Sequence, residues 1–172
     1  RLTMIPCHRA WRNYKAAGLL SLPDILGWNL YLGWYSGALN RLGSVIEKFH
    51  NLFPDKGLII TEYGADMDIR LHSMHPLQRD YTCEYGVKFH GHYLGDILRY
   101  DYVLGSNVWN YADFYSEKRL DGIPRVNNKG LVDISREKKD VYYLHAAAFH
   151  AVPYLKIGGE SWKNRGGATE GG

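Results

Sequence analysis

The chain has 172 residues, of which 45% are apolar and 23% charged, as is ordinary for a globular domain with a substantial core. The net charge of +3, without a long run of Lys and Arg, argues against nucleic acid as a partner. No apolar run reaches 18 residues, so no membrane span is predicted. Cys7 and Cys83 form no CxxC pair, which argues against a disulfide framework or a zinc site.

Four short apolar runs predict β-strands. In chain order they are LTMIP (2–6), DILGWNLY (24–31), GLIIT (57–61) and YVLGSNVW (102–109). None alternates cleanly between polar and apolar residues. Nearly continuous apolar strands are typical of a parallel sheet that is buried on both faces.

Helical periodicity fills the stretches between and after these strands. Apolar residues three and four apart predict helices over 36–53, where Pro54 ends the pattern, and over 80–100, and further helices are predicted over 138–152 and, more weakly, 10–21. The stretch SREKKD at 135–140 mixes charges of both signs, which is typical of a solvated helix start. Strands that alternate with helices predict an α/β protein with right-handed crossovers.

Two architectures fit four such units, an open doubly wound sheet and half of a (β/α)8 barrel. A dinucleotide-binding sheet needs a glycine-rich turn after its first strand, and neither GxGxxG nor a P-loop is present. Polar and aromatic residues instead follow the strands, where barrel enzymes place their chemistry. They are Cys7 and His8, Asn29 to Tyr31, Glu62 and Tyr63, and Trp109 and Asn110.

Glu62 is the strongest candidate for a catalytic residue. It directly follows the apolar run LIIT, and the long polar segment YGADMDIRLHSMHP after it has no helical period. The plain alternative is a strand-end acid in a salt bridge. A carboxylate flanked by Trp, Tyr and Asn, in a chain with 14 Tyr and 5 Trp, suits a sugar site, because rings cover the apolar face of a sugar and amides bind its hydroxyls.

Four motifs in order resemble glycoside hydrolase family 2, which includes β-galactosidases, β-glucuronidases and β-mannosidases. They are WNLYLGWY (28–35), ITEYGAD (60–66), SNVWNYADF (106–114) and NNKGLVD (127–133). The resemblance implies that residues 1–152 form the C-terminal half of the catalytic TIM barrel, with its fifth to eighth strands. Residues 153–172 are then the start of a following β domain, of the β-sandwich type, or a linker.

The resemblance also implies a role for Glu62, because the Glu of the TEYG motif is the nucleophile in this family. The acid/base partner is a Glu in an Asn-Glu pair after the fourth strand, and the present sequence contains no such dipeptide. Retaining hydrolysis requires both carboxylates. We therefore expect this chain to be a fragment of an exo-β-glycosidase that acts by double displacement and to be inactive alone.

Seven further residues are predicted to bind the substrate. Tyr31 matches a tyrosine that hydrogen-bonds the nucleophile, although a core tyrosine at a strand end is the plain alternative. Asn29 and Tyr35 are predicted to face the same cavity, and Trp109 to form part of the sugar-binding floor. Asp113 binds sugar hydroxyls or holds its loop; Trp34 is equally well a wall or a packed ring.

The remaining two substrate-binding residues are Asn127 and Lys129. In β-glucuronidases an Asn-x-Lys at this place reaches the sugar carboxylate. Similar strings occur in galactosidase-like members, and the stretch 72–94 favours the β-galactosidase type, with a β-glucuronidase as the alternative.

Several further expectations complete the prediction. No cofactor and no metal site are predicted, since the Asp and His residues after Glu62 lack a zinc-site pattern. The expected partners are a carbohydrate substrate and the remainder of the protein's own chain, with an oligomer left open and a periplasmic or secreted location favoured over a cytoplasmic one. A non-catalytic carbohydrate-binding barrel is the competing hypothesis, because fold alone does not fix function.

Overall fold

The computed structural model describes residues 1–8 and 10–163. Its helices and strands follow the predicted alternation. The strands are β1 (Met4–His8), β2 (Ile25–Asn29), β3 (Gly57–Tyr63), β4 (Val103–Val108), β5 (Phe114–Tyr115) and β6 (Val126–Asn127). The helices are α1 (Trp11–Ala16), α2 (Leu42–Leu52), α3 (Cys83–Arg99) and α4 (Asp140–Phe149), and a 3-10 turn (Leu39–Arg41) precedes α2.

The first four strands form one parallel sheet in the order β1-β2-β3-β4. Sequential order with helices between the strands confirms the α/β class with a parallel sheet. Because all four strands run the same way, their carboxyl ends meet at one edge. The register places Asn29 opposite Glu62 and Tyr63 opposite Val108. The strands β5 and β6 form a small antiparallel ribbon beyond β4.

The predicted element bounds differ from the observed ones at glycines and at the sheet edge. The helix predicted from residue 36 begins as an α-helix at Leu42, because the turn before it uses Gly33 and Gly37 at positive φ. The helix predicted over 10–21 ends at Ala16, two residues before Gly18, which also has positive φ. The first strand lies two residues later than predicted, so it includes His8.

The apolar stripe of α3 covers the sheet. Tyr85, Phe89, Tyr93 and Ile97 lie four residues apart and are all buried. The helix begins at a side-chain cap, since the hydroxyl of Thr82 accepts a hydrogen bond of 3.1 Å from the Tyr85 amide. The two central strands carry most of the buried strand residues. The outer strands β1 and β4 have more exposed residues, because within the described residues each of these two pairs with a neighbour on one side only.

No helix in the described part of the chain is long and apolar enough to cross a membrane. Residues 153–163 contain no strand. The rest of the predicted β domain at 153–172, from residue 164 onward, lies outside the described residues.

Candidate active site

Glu62 lies at the carboxyl end of β3, half-buried between the ends of β2 and β4. Its carboxylate oxygen Oε2 accepts a hydrogen bond of 2.9 Å from the hydroxyl of Tyr31, which follows β2. Its backbone carbonyl accepts another of 2.8 Å from the Leu30 amide. The backbone therefore fixes the place of Glu62, and the tyrosine fixes the orientation of its carboxylate.

Tyr31 can serve only as a donor in this pair. Burial raises the pKa of Tyr31 well above its ordinary value, and the bond to the Glu62 carboxylate and the charge of that carboxylate raise it further. The phenol thus keeps its proton at any physiological pH. The hydroxyl therefore remains a donor to the Glu62 carboxylate.

A cavity of about 170 Å³ opens beside this pair. His8, Asn29, Tyr31 and Tyr35 are among its lining residues, which brings three of the predicted substrate-binding residues together. The rings of Tyr31 and Tyr35 lie 5.2 Å apart at a tilt. The side-chain oxygen of Asn29 accepts a hydrogen bond of 2.7 Å from the Thr61 hydroxyl, next to the candidate nucleophile.

Trp109 lies on the other side of Glu62, directly after β4. The residue is 38% exposed, and its indole ring meets Phe114 edge to face. Its backbone amide donates a hydrogen bond of 2.8 Å to the Tyr63 carbonyl. Gly64 allows this close approach, because a Cβ built there would lie 2.1 Å from the Trp109 carbonyl oxygen. The peptide between Trp109 and Asn110 is cis.

Lys129 is buried, with a side chain only 1% exposed. Its ammonium forms an ion pair with Asp66, whose side chain is fully buried, and lies 4.8 Å from the ring centre of Tyr35. The ring of Trp34, 5.7 Å from the same ammonium, is fully buried, so of its two predicted roles the packed ring fits. Asn127 is also buried, and its side-chain oxygen accepts a hydrogen bond from the Lys129 amide.

Asp113 holds its loop through two hydrogen bonds to the same oxygen. The Lys139 ammonium donates at 2.8 Å and the Gly130 amide at 2.8 Å. Lys139 also donates to the carbonyls of Met67 and Asn128, so its three donors are all satisfied. These contacts fit the loop-holding alternative for Asp113, and its sugar-binding role stays a prediction.

Sequence reasoning missed two cations. Lys139 is 4% exposed, so the solvated helix start predicted for residues 135–140 is wrong at this position. Arg119 was not singled out, although one of its terminal nitrogens, Nη2, donates to both carboxylate oxygens of Asp66 at 3.0 Å. No local pattern distinguishes these two residues from surface cations, because the buried carboxylate that each one binds lies 53 residues away for Arg119 and 26 residues away for Lys139.

Asp66, Asp68 and His72, which follow Glu62, each pair with another side chain of the protein. Asp68 accepts hydrogen bonds from Arg70, and His72 shares one of 2.7 Å with Glu84. In the described part of the chain no group of three His, Cys, Asp or Glu side chains is placed to hold a metal ion.

Comparison with known proteins places this geometry among sugar-cleaving enzymes. A β-glucuronidase of Streptococcus agalactiae serotype V is 31% identical over 144 residues, which cover 79% of this chain and 23% of that protein. The crystal structure of a Bacteroides uniformis β-glucuronidase is 40% identical, with a TM-score of 0.87, and the match covers 94% of this chain and 19% of that one. Bacteroides uniformis β-glucuronidase 2, covalently bound to cyclophellitol-6-carboxylate aziridine, is 39% identical, with a TM-score of 0.83 and the same coverage. No family model matches the chain.

The parallel sheet and these relatives place the chain in the glycoside hydrolase class. The chain belongs to glycoside hydrolase family 2, the family that its four motifs resemble. It spans about a fifth of the length of the relatives it matches. The β-galactosidase-like subtype is not confirmed, because the curated relatives are named β-glucuronidases and fit the alternative better.

Proposed function

We propose that this chain forms the nucleophile side of the active site of a retaining β-glucuronidase, with Glu62 as the nucleophile. The observation that carries the proposal is the 2.9 Å hydrogen bond from Tyr31 to the Glu62 carboxylate at the end of β3. A nucleophilic carboxylate must be held in one orientation towards the anomeric carbon, and a buried tyrosine that keeps its proton provides this through its hydrogen bond.

The reaction follows from two carboxylates on either side of the glycosidic bond. Glu62 attacks the anomeric carbon while a second carboxylic acid protonates the leaving oxygen, and the bond to the aglycone breaks. Water activated by the same second residue then releases the sugar from Glu62, with retained configuration. The two carboxylates of such a site lie about 5–5.5 Å apart.

We infer that the second carboxylate comes from outside these 172 residues, because the chain lacks the Asn-Glu pair of the family. On this view the sheet β1 to β4 is half of a (β/α)8 barrel, whose other half would pair with β1 and β4. The sequential parallel order and the likeness to the Bacteroides uniformis enzyme support this architecture. The chain alone should then lack glycosidase activity.

The choice of a glucuronide over a galactoside depends on Lys129. Among the described residues, its ammonium has a single hydrogen-bond acceptor, Asp66, and otherwise faces aromatic rings. An ammonium has three donors, so Lys129 can also bind a sugar carboxylate next to Tyr35. The relatives' names support the same choice, as does the carboxylate-bearing ligand of Bacteroides uniformis β-glucuronidase 2.

The role of Glu62 is tested by chemical rescue in the complete protein that carries this chain. The Glu62→Gly variant should lose turnover of an aryl β-glucuronide. Added azide should restore turnover and give a glycosyl azide of inverted configuration, because azide attacks from the vacated side. Glu137→Gly, at an exposed glutamate, is the matched control and should keep full activity without azide. A glycosyl azide of retained configuration from Glu62→Gly would assign the acid/base role to Glu62 instead.

The sugar is tested with Lys129→Met, which keeps the length of the side chain and removes its charge. The ratio of kcat/KM for p-nitrophenyl β-D-glucuronide to that for the β-D-galactoside should fall about 10- to 100-fold, the range for hydrogen bonds to charged groups. A wild-type protein that prefers the galactoside, with a ratio that Lys129→Met leaves unchanged, would favour the β-galactosidase alternative.

A further inference from the structure

Arg119, Asp66 and Lys129 form a buried cluster beside the proposed sugar site. The Asp66 side chain is fully buried, that of Lys129 is 1% exposed and that of Arg119 is 15% exposed. Arg119 Nη2 donates to both oxygens of Asp66 at 3.0 Å, and Lys129 donates to one of them. One carboxylate is thus shared by two cations.

The cluster is connected to the candidate nucleophile through two tyrosines. The Lys129 ammonium lies over the ring of Tyr35, which is 5.2 Å from the ring of Tyr31, and Tyr31 donates to Glu62. Tyr35 is 37% exposed and lines the cavity beside Tyr31. The rings of Tyr35 and Tyr31 thus lead from the Lys129 ammonium to the Glu62 carboxylate.

The charges of the cluster add to +1, which distinguishes it from a simple ion pair. Lys129 with Asp66 alone would be neutral, and a sugar carboxylate approaching that pair would place two anions on one ammonium. With Arg119 present, two cations face two anions. Arg119 also donates two hydrogen bonds to Asp121, at 3.2 and 3.0 Å. The charge of +1 counts Asp66 as the carboxylate of the cluster and leaves out Asp121, whose side chain is 36% exposed and partly screened by water.

We propose that Arg119 is a specificity-determining positioning residue. It holds Asp66 so that the Lys129 ammonium can donate hydrogen bonds to the carboxylate of a uronic acid. This inference rests on the proposed function, since it concerns the same sugar. The physical reason is that a buried carboxylate left without a cation is costly. Arg119 keeps Asp66 paired while Lys129 divides its donors between Asp66 and the sugar. Binding of the anionic substrate therefore does not leave the buried Asp66 carboxylate without a cation.

Charge replacement in the complete protein tests the proposal. The Arg119→Met variant should raise KM for p-nitrophenyl β-D-glucuronide at least about 10-fold, with the β-D-galactoside parameters changed less than about twofold. Arg119→Lys retains the charge and should recover most of the loss. The double variant Arg119→Met/Asp66→Asn removes the competing anion together with its cation, so it should restore glucuronide binding towards the wild-type value.

Arg70→Met is the matched control, because it breaks the Arg70–Asp68 pair, in the loop that also carries Asp66, at an arginine side chain that is 72% exposed. It should leave the ratio between the two substrates unchanged. A merely structural role for Arg119 would reduce turnover of both sugars and make the double variant worse than the single one, and that result would overturn the proposal. If Arg119→Met does not fold, Arg119→Lys and the double variant decide the question through the same ratio.

The two proposals fail in different ways. The proposed function is refuted if the wild-type protein does not prefer the glucuronide, or if Lys129→Met leaves the ratio of kcat/KM for the glucuronide to that for the galactoside unchanged. A preserved Lys129 effect together with an equal loss on both sugars in Arg119→Met refutes the role of Arg119 alone.

Discussion

Replacing Gly64 by alanine is predicted to displace Trp109 and to impair the site without touching a proposed catalytic group. A Cβ at residue 64 would lie 2.1 Å from the Trp109 carbonyl oxygen, which is a backbone atom. Because Cβ contacts under 3.0 Å essentially never occur, the backbone segments of residues 64 and 109 must separate by nearly an ångström. The Trp109 amide, which donates to the Tyr63 carbonyl at 2.8 Å, moves with it. Overpacking of this kind costs about 1–3 kcal/mol of stability.

The catalytic cost should lie near the upper end of that range, because a fall in turnover of about 100-fold corresponds to about 2.7 kcal/mol. A misplacement of about 1 Å in a site lowers turnover about 100-fold, so kcat/KM of the complete protein for an aryl β-glucuronide should fall by that order. Gly95→Ala is the control, because Gly95 is an exposed residue of α3 and nothing lies within 4 Å of a Cβ built there. A Gly64→Ala variant with the kcat/KM of Gly95→Ala would refute the claim that close contact between the two loops positions Trp109.

Two further predictions concern Tyr31 and a buried histidine pair. Tyr31→Phe should lower kcat at least about 10-fold at an unchanged melting temperature, since it removes a hydrogen bond to a charged group; an unchanged kcat would show that this bond does not orient Glu62. Burial lowers the pKa of His90 to about 3 and that of His145 to about 4. The unfolded chain therefore takes up protons first, and stability should fall as the pH drops from about 6.5 towards 4, by about 2 kcal/mol for each group at pH 5. The melting temperature of His145→Gln should depend less steeply on pH between 7 and 5 than that of the wild type. Equal slopes of melting temperature against pH would show that the buried histidines do not cause the pH dependence of stability.

The sheet and its strand-end residues could be predicted because their signals are local. Each parallel strand is a short apolar run, and the polar residues that follow each run meet at one edge once the strands are parallel. The sequence order alone thus placed Glu62 between the ends of the strands that lead to Tyr31 and Trp109. The hydrogen bond between Tyr31 and Glu62 joins residues 31 positions apart, and the family motif was needed to anticipate it.

The charged interior could not be predicted in the same way. Asp66 is separated from Arg119 by 53 residues and from Lys129 by 63, and Met67 from Lys139 by 72. Lysine and arginine are almost always exposed, so a sequence without alignment offers no reason to bury any particular one. The motif predicted a role for Lys129 but not its partner. The burial of Arg119 and Lys139 depends on contacts between the segments after β3 and those after β4, which only the structure shows.

The two buried lysines differ in a way that separates structure from function. Lys139 donates to one carboxylate and two carbonyls, and its three acceptors come from the loops after β3 and β4 and from the segment after β6. An ammonium with all three donors satisfied has no free donor for a ligand. The role of Lys139 is therefore structural, since it holds these segments together. Lys129 bonds one carboxylate among the described residues and otherwise faces the rings of Trp34 and Tyr35. Buried ion pairs contribute little net stability. Our proposal of an anionic sugar rests on this difference, since Lys129 keeps donors without an acceptor among the described residues and lies over Tyr35, which lines the cavity.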